Sequence, residues 1–84
     1  MPKTTIRIVQ EVISKFADIP SESIRPENSI GAGRDIVVDS LDLVEVIMAI
    51  EDAFNIKIPD DEVRKIETVQ DILDIIRTKQ ITST

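Results

Sequence analysis

Residues 40–54, SLDLVEVIMAIEDAF, restrict the fold more than any other part of the chain, because Leu43, Val46, Ile47, Ile50 and Phe54 recur at helical spacing. At about 3.6 residues per turn these five side chains share one face, which predicts an amphipathic helix with that stripe against a core. Such a helix needs apolar partners, and the sequence supplies two more stretches of the same period. Ile6, Val9, Val12, Ile13 and Phe16 mark a first helix over residues 5–17, with Thr4 or Thr5 available to cap it. Val69, Ile72, Leu73 and Ile76 mark a last helix from about Val69 to Lys79. Its start, Thr68-Val69-Gln70-Asp71, is like a capping box.

The connections follow from turn chemistry. Residues 18–38, DIPSESIRPENSIGAGRDIVV, contain Pro20, Pro26, Gly31 and Gly33 and read as a loop. A loop of this length in a small domain needs a function or anchors, and Ile19, Ile24, Ile30 and Ile36 are candidate anchors. Asn55 is expected to end the second helix. Asp60, after Pro59, is placed to cap a short helical turn over residues 61–66, with Val63 and Ile66 inward. The tail 81–84, ITST, is expected to fray, leaving about 4–80 ordered. The fold expected is all-α: a single domain over residues 1–84, built as a small bundle of three longer helices plus one short helix, with a long first loop.

The residue types absent from the chain exclude most chemistry. There is no Cys and no His, so no disulfide, no thiolate or imidazole zinc site and no Ser-His or Cys-His pair can form. Phe16 and Phe54 are the only aromatic residues, which leaves little surface for stacking on bases. The expectation is that the chain is not an enzyme. No apolar run reaches the length of a membrane span, and the first ten residues lack a signal-peptide core, so a cytoplasmic protein is the default expectation.

The net charge of −6 is concentrated in one region. Residues 1–38 hold five acids and five bases, and residues 63–84 hold three acids and four bases. Residues 39–62 hold eight acids, namely Asp39, Asp42, Glu45, Glu51, Asp52, Asp60, Asp61 and Glu62, against Lys57 alone. This sign argues against nucleic acid and anionic membrane and for partners with basic surfaces. On charge alone, a solvated helix face with no partner stands ahead of that reading. The same helix has a second apolar set, Leu41, Val44 and Met48, off the core stripe and edged with acids. Periodicity leaves two roles open for it: a partner surface, or a face covered by a neighbouring loop.

Ser40 stands between Asp39 and Leu41 at the start of this helix. As a nucleophile it has no imidazole to activate it. As a cap it is not needed, because Asp39 is a good N-cap, with Ser40 then the first helical residue and Asp42 the third. A phosphate ester on Ser40 would lie at the positive end of the helix dipole. The two aspartates would repel such a group, so they must serve something else, such as a basic enzyme surface.

From about residue 39 to 76 the chain resembles the acyl carrier proteins. The resemblance rests on four elements in register: Asp39-Ser40-Leu41-Asp42, Glu51-Asp52-Ala53-Phe54, Ile58-Pro59-Asp60-Asp61-Glu62 and Lys65-Ile66-Glu67-Thr68-Val69. It implies that Ser40 carries a 4′-phosphopantetheine joined by a phosphodiester, whose thiol supplies the sulfur that the sequence lacks. It also implies that acyl groups are held there as thioesters and presented to enzymes of fatty-acid, lipid or polyketide synthesis. The partners implied are a phosphopantetheinyl transferase and acyl-chain enzymes with basic docking surfaces, meeting a monomer. The docking positions implied are Asp39, Leu41, Asp42, Val44, Glu45, Met48, Glu51, Asp52, Asp60 and Asp61.

The chain departs from the family pattern before the serine. Family members usually carry Asp-Leu-Gly-Ala there, where this sequence has Asp35-Ile36-Val37-Val38. A β-branched residue avoids positive φ, so any such turn is expected elsewhere, with Gly31 and Gly33 available. Leu43 and Arg64 replace a small or polar residue and an acid. These changes leave the carrier role intact and point toward a specialised rather than a housekeeping member. Two rivals stand beside it. One is an acidic helical interaction domain with no prosthetic group. The other is a calcium-binding helical protein, disfavoured because residues 58–69 lack the alternating acids and central glycine of an EF-hand loop.

Overall fold

The structure, a computed structural model, describes residues 3–82. The elements in chain order are helix α1 (Lys3–Ala17), a 3-10 turn (Ser21–Ser23), and helices α2 (Ser40–Phe54), α3 (Asp60–Val63) and α4 (Val69–Thr82). No strand occurs among the described residues, and two isolated bridges, Ser29 with Thr68 and Ile30 with Ile36, tie the long loop. The all-α expectation holds.

The predicted stripes meet in one core. Val9 and Ile13 come from α1, Val46, Ile47 and Ile50 from α2, and Val69, Ile72, Leu73 and Ile76 from α4, all buried. Ile6, Val12, Phe16, Leu43 and Phe54 pack against its edge, partly buried. The core is almost wholly aliphatic, so it fills by interdigitated branched side chains rather than by ring stacking.

The long loop is anchored to that core. Ile24, Ile30, Ile36 and Val38 are buried, and Ile19 is half-buried. Its backbone also serves α4, whose first N–H groups have no partner within the helix. Val69 N donates to Asn28 O at 3.0 Å, and Gln70 N donates to Pro26 O at 2.8 Å. Ile30 N donates to Glu67 O at 2.9 Å. The Thr68 cap is present in both directions. Asp71 N donates to Thr68 Oγ1 at 3.2 Å, and Thr68 N donates to Asp71 Oδ2 at 3.1 Å.

Several boundaries differ from expectation. Helix α1 begins at Lys3, so Thr4 and Thr5 lie inside it rather than capping it. Asp60 does not cap α3. Pro59 occupies the N-cap position without a side-chain bond, Asp60 is the first helical residue, and the helix ends at Val63 rather than at residue 66. Beyond it Lys65 N and Ile66 N donate to carbonyls three residues back, a tighter turn that leads Ile66 into the core. Helix α4 runs on to Thr82, past Lys79 and into the tail expected to fray, whose last two residues, 83 and 84, lie outside the described residues. The turn before α2 places positive φ at Gly31 (145°) and Gly33 (72°) and not at Val37. A β-branched residue is therefore accommodated at 37 without strain.

Candidate functional site

The site is built at the N-terminus of α2. Asp39 has extended backbone angles and caps the helix: its Oδ1 accepts from Asp42 N at 2.7 Å. Leu43 N closes the first turn on Asp39 O at 2.9 Å. Ser40 is the first helical residue, exposed, and its hydroxyl has no hydrogen-bond partner among the described residues. Val38 is 2% exposed and stands one residue before the cap, while Leu43 is the fourth helical residue and packs on the core. These are the positions of a hydrophobic staple, which fixes the direction in which the chain enters the helix. At the other end Asn55 takes the left-handed conformation (φ 55°), so α2 starts and stops where its cap residues dictate.

Successive residues of a helix turn by about 100°, which sorts the α2 side chains into sectors. Leu41, Val44 and Met48 fall within about 60° of one another, well away from the buried stripe. They are 75%, 49% and 57% exposed, so no neighbouring loop covers them and the second of the two roles left open by periodicity is ruled out. Glu45 and Asp52 are exposed along one edge of this strip, and Glu51 borders its other edge. Asp39, Asp60 and Asp61 are exposed, and Asp42 is half-buried. The strip begins one residue after the serine and runs from there to mid-helix.

Glu51 has a second role that the sequence did not reveal. It is half-buried, and its Oε2 accepts from Ile58 N at 2.8 Å, which ties the segment leading into α3 back to α2. Val44, Ile47, Met48, Ile58 and Val63 line a groove of about 140 Å³ between α2 and α3, with Glu51 and Asp60 at its polar side. Asp61 lies outside that lining. Helix α3 is also tied to α4. Glu62 Oε2 is enclosed and meets Lys79 Nζ at 2.8 Å as an ion pair, off the alignment of a hydrogen bond.

Among the described residues no three Asp or Glu side chains converge as metal ligands, and no helix is long and apolar enough to cross a membrane. What the arrangement offers is a free primary hydroxyl beside a cap that does not use it. The N–H groups of Ser40 and Leu41 point out of the same helix end and take no partner among the described residues. These features fit a phosphodiester on the serine oxygen, which needs an open hydroxyl and gains from nearby unpaired donors.

Comparison with known proteins gives the same direction. A family model described as a phosphopantetheine attachment site matches residues 7–76. An acyl carrier protein of Acidothermus cellulolyticus is 41% identical over 73 residues, covering 87% of this chain and 84% of its own. One of Thermosynechococcus vestitus is 42% identical over 71 residues, covering 84% and 85%. One of Thermobifida fusca is 37% identical over 67 residues, covering 80% and 82%.

Proposed function

The chain belongs to the acyl carrier protein family, and on that premise we propose that it holds acyl groups as thioesters on a 4′-phosphopantetheine arm joined to Ser40. The observation that carries this is the division of labour at the start of α2: Asp39 caps the helix, and the Ser40 hydroxyl is left exposed and unbonded. Modification forms one P–O ester bond at Ser40 Oγ. The diphosphate link of coenzyme A breaks, its adenosine bisphosphate half leaves, and the serine proton passes to a base of the transferase, because this chain has no imidazole. The bound arm supplies the thiol on which acyl groups are carried.

The chain's own residues do the rest. Asp39, Leu41, Asp42, Val44, Glu45, Met48, Glu51, Asp52, Asp60 and Asp61 form the docking surface for a phosphopantetheinyl transferase and for enzymes of fatty-acid, lipid or polyketide synthesis with basic surfaces. The chain acts as a carrier and not as a catalyst, as a cytoplasmic monomer. The groove between α2 and α3 opens beside the strip and leads toward Ile47 and Ile58, so it is the natural entrance for an acyl chain into the aliphatic core. Leu43 packs on the core edge of α2, where the family commonly has a small or polar residue, and this supports a specialised cargo.

The test is intact-mass spectrometry after incubation with coenzyme A, magnesium and a broad-specificity phosphopantetheinyl transferase. Wild type gains one phosphopantetheine and Ser40→Ala gains none. No gain on wild type, with the transferase active on a known carrier, would leave the acidic interaction domain instead.

A further inference from the structure

Four large apolar side chains are exposed among the described residues: Val37, Leu41, Val44 and Met48. Single exposed hydrophobes are ordinary on any surface, but these are not scattered. All four flank Ser40 in sequence, and three of them are the α2 strip. The fourth, Val37, lies in the loop three residues before the serine.

The fold does not require valine there. Ile36 and Val38 are each 2% exposed, whereas Val37 is 65% exposed. Such alternation over three residues turns the middle side chain outward whatever its identity. Its φ is not in the left-handed region, so glycine is not required either. The side chain at 37 is thus free of the core and free of backbone constraint, and it is nevertheless apolar and branched.

Any enzyme that joins a group to Ser40 Oγ has to close over the residues on both sides of it. From Asp35 to Ile56 the chain holds six acids and no base. A surface that closes there is apolar at its centre and basic at its rim. Resting on the attachment at Ser40, we propose that Val37 is a specificity-determining docking residue. It adds an exposed apolar side chain on the N-terminal side of the serine to those of the Leu41–Val44–Met48 strip, and it seats in an apolar depression of the basic-rimmed transferase.

The test measures phosphopantetheinylation of the full chain by a broad-specificity transferase, with coenzyme A and magnesium, at varied carrier concentration. In Val37→Ser the KM for the carrier rises about five- to tenfold, as expected for losing a half-buried valine contact, with kcat within about twofold. Val37→Thr keeps the branch and raises KM less, about threefold. Both effects persist in high salt, because the lost contact is apolar. The melting temperature stays within about 2 °C of wild type, as for other surface substitutions. A KM unchanged in Val37→Ser overturns the proposal, and so does a large drop in melting temperature, which would make Val37 a packing residue. Wild type that gains no mass removes the Ser40 attachment and this proposal together, whereas modified wild type with an indifferent Val37→Ser removes this proposal alone.

Discussion

Asp39 Oδ1 accepts a 2.7 Å hydrogen bond from Asp42 N, and this contact separates the stability of α2 from the chemistry of Ser40. The cap satisfies one of the helix's unpaired donors, so losing it costs about 1 kcal/mol. Asp39→Ala is therefore expected to lower the melting temperature by about 4–8 °C, the shift that 1 kcal/mol produces in a domain of this size. Ser40→Ala, which removes a hydroxyl without partners, is expected to leave melting and helicity nearly unchanged while abolishing modification. Thermal scans by circular dichroism compare the two variants directly. A Ser40→Ala protein that melts as early as Asp39→Ala would contradict the division of labour.

Glu51 and Glu45 lie on the same helix and look alike in sequence, but among the described residues Glu51 alone of the two is hydrogen-bonded beyond α2. Its carboxylate accepts from the N–H of Ile58, a residue only 5% exposed. Removing the acceptor leaves that donor unpaired at a buried position, a cost of about 1–3 kcal/mol. Glu51→Ala is expected to lose that much in urea unfolding, and Glu45→Ala to stay within about 0.5 kcal/mol of wild type. Equal stability of the two variants would show that water replaces the carboxylate at no cost.

Helix α2 was legible almost to the residue, because its signals are local: an aspartate cap, an asparagine stop and a stripe of period 3.6. The exposure of Ser40 followed from the cap alone. The start of α1 was misplaced because threonine is tolerated inside a helix as well as before it, so Thr4 and Thr5 carry no unique boundary signal. Helix α3 starts one residue earlier than expected because Pro59, not Asp60, takes the N-cap position, and it stops at Val63 rather than 66 because four helical residues give periodicity nothing to act on. Periodicity also placed Leu41, Val44 and Met48 on one face without saying what covers it, since cover comes from tertiary neighbours. The Glu51–Ile58 and Glu62–Lys79 links join residues seven and seventeen apart through turns whose geometry no spacing rule supplies. Val37 carries no signal in the sequence, because Ile36, Val37 and Val38 are all apolar and only the tertiary structure turns the middle one outward.

The exposed acids predict a charge-dependent encounter with basic enzymes. Glu45 and Asp52 are exposed on one edge of the apolar strip, and among the described residues no hydrogen bond or ion pair uses their carboxylates. Glu45→Lys and Asp52→Lys are each expected to slow phosphopantetheinylation at low ionic strength, about tenfold, by reversing the steering field. The loss shrinks toward wild-type rates near 0.5 M salt, where charges more than about 4–5 Å apart are screened. This salt response contrasts with that expected of Val37→Ser. Rates unchanged at low salt would remove both acids from the docking surface.

The Glu62–Lys79 ion pair predicts how firmly α3 is held. Helix α3 has four residues and no side-chain cap, so it cannot be stable by itself and depends on its ties to α2 and α4. The pair is partly shielded, at 28% and 32% side-chain exposure, and closes at 2.8 Å. Its coupling is expected at the upper end of the range for accessible pairs, about 1 kcal/mol, and to fall as salt is added. A double-mutant cycle with Glu62→Gln and Lys79→Met, read by urea unfolding, isolates that pairwise contribution from the packing of the lysine stem. Amide exchange at Arg64, Lys65 and Ile66, whose N–H groups bond back into α3, should speed up in either single variant before global stability changes much. Exchange there that only tracks global unfolding would mean that α3 is held by Val63 and Ile66 in the core and that the ion pair is incidental.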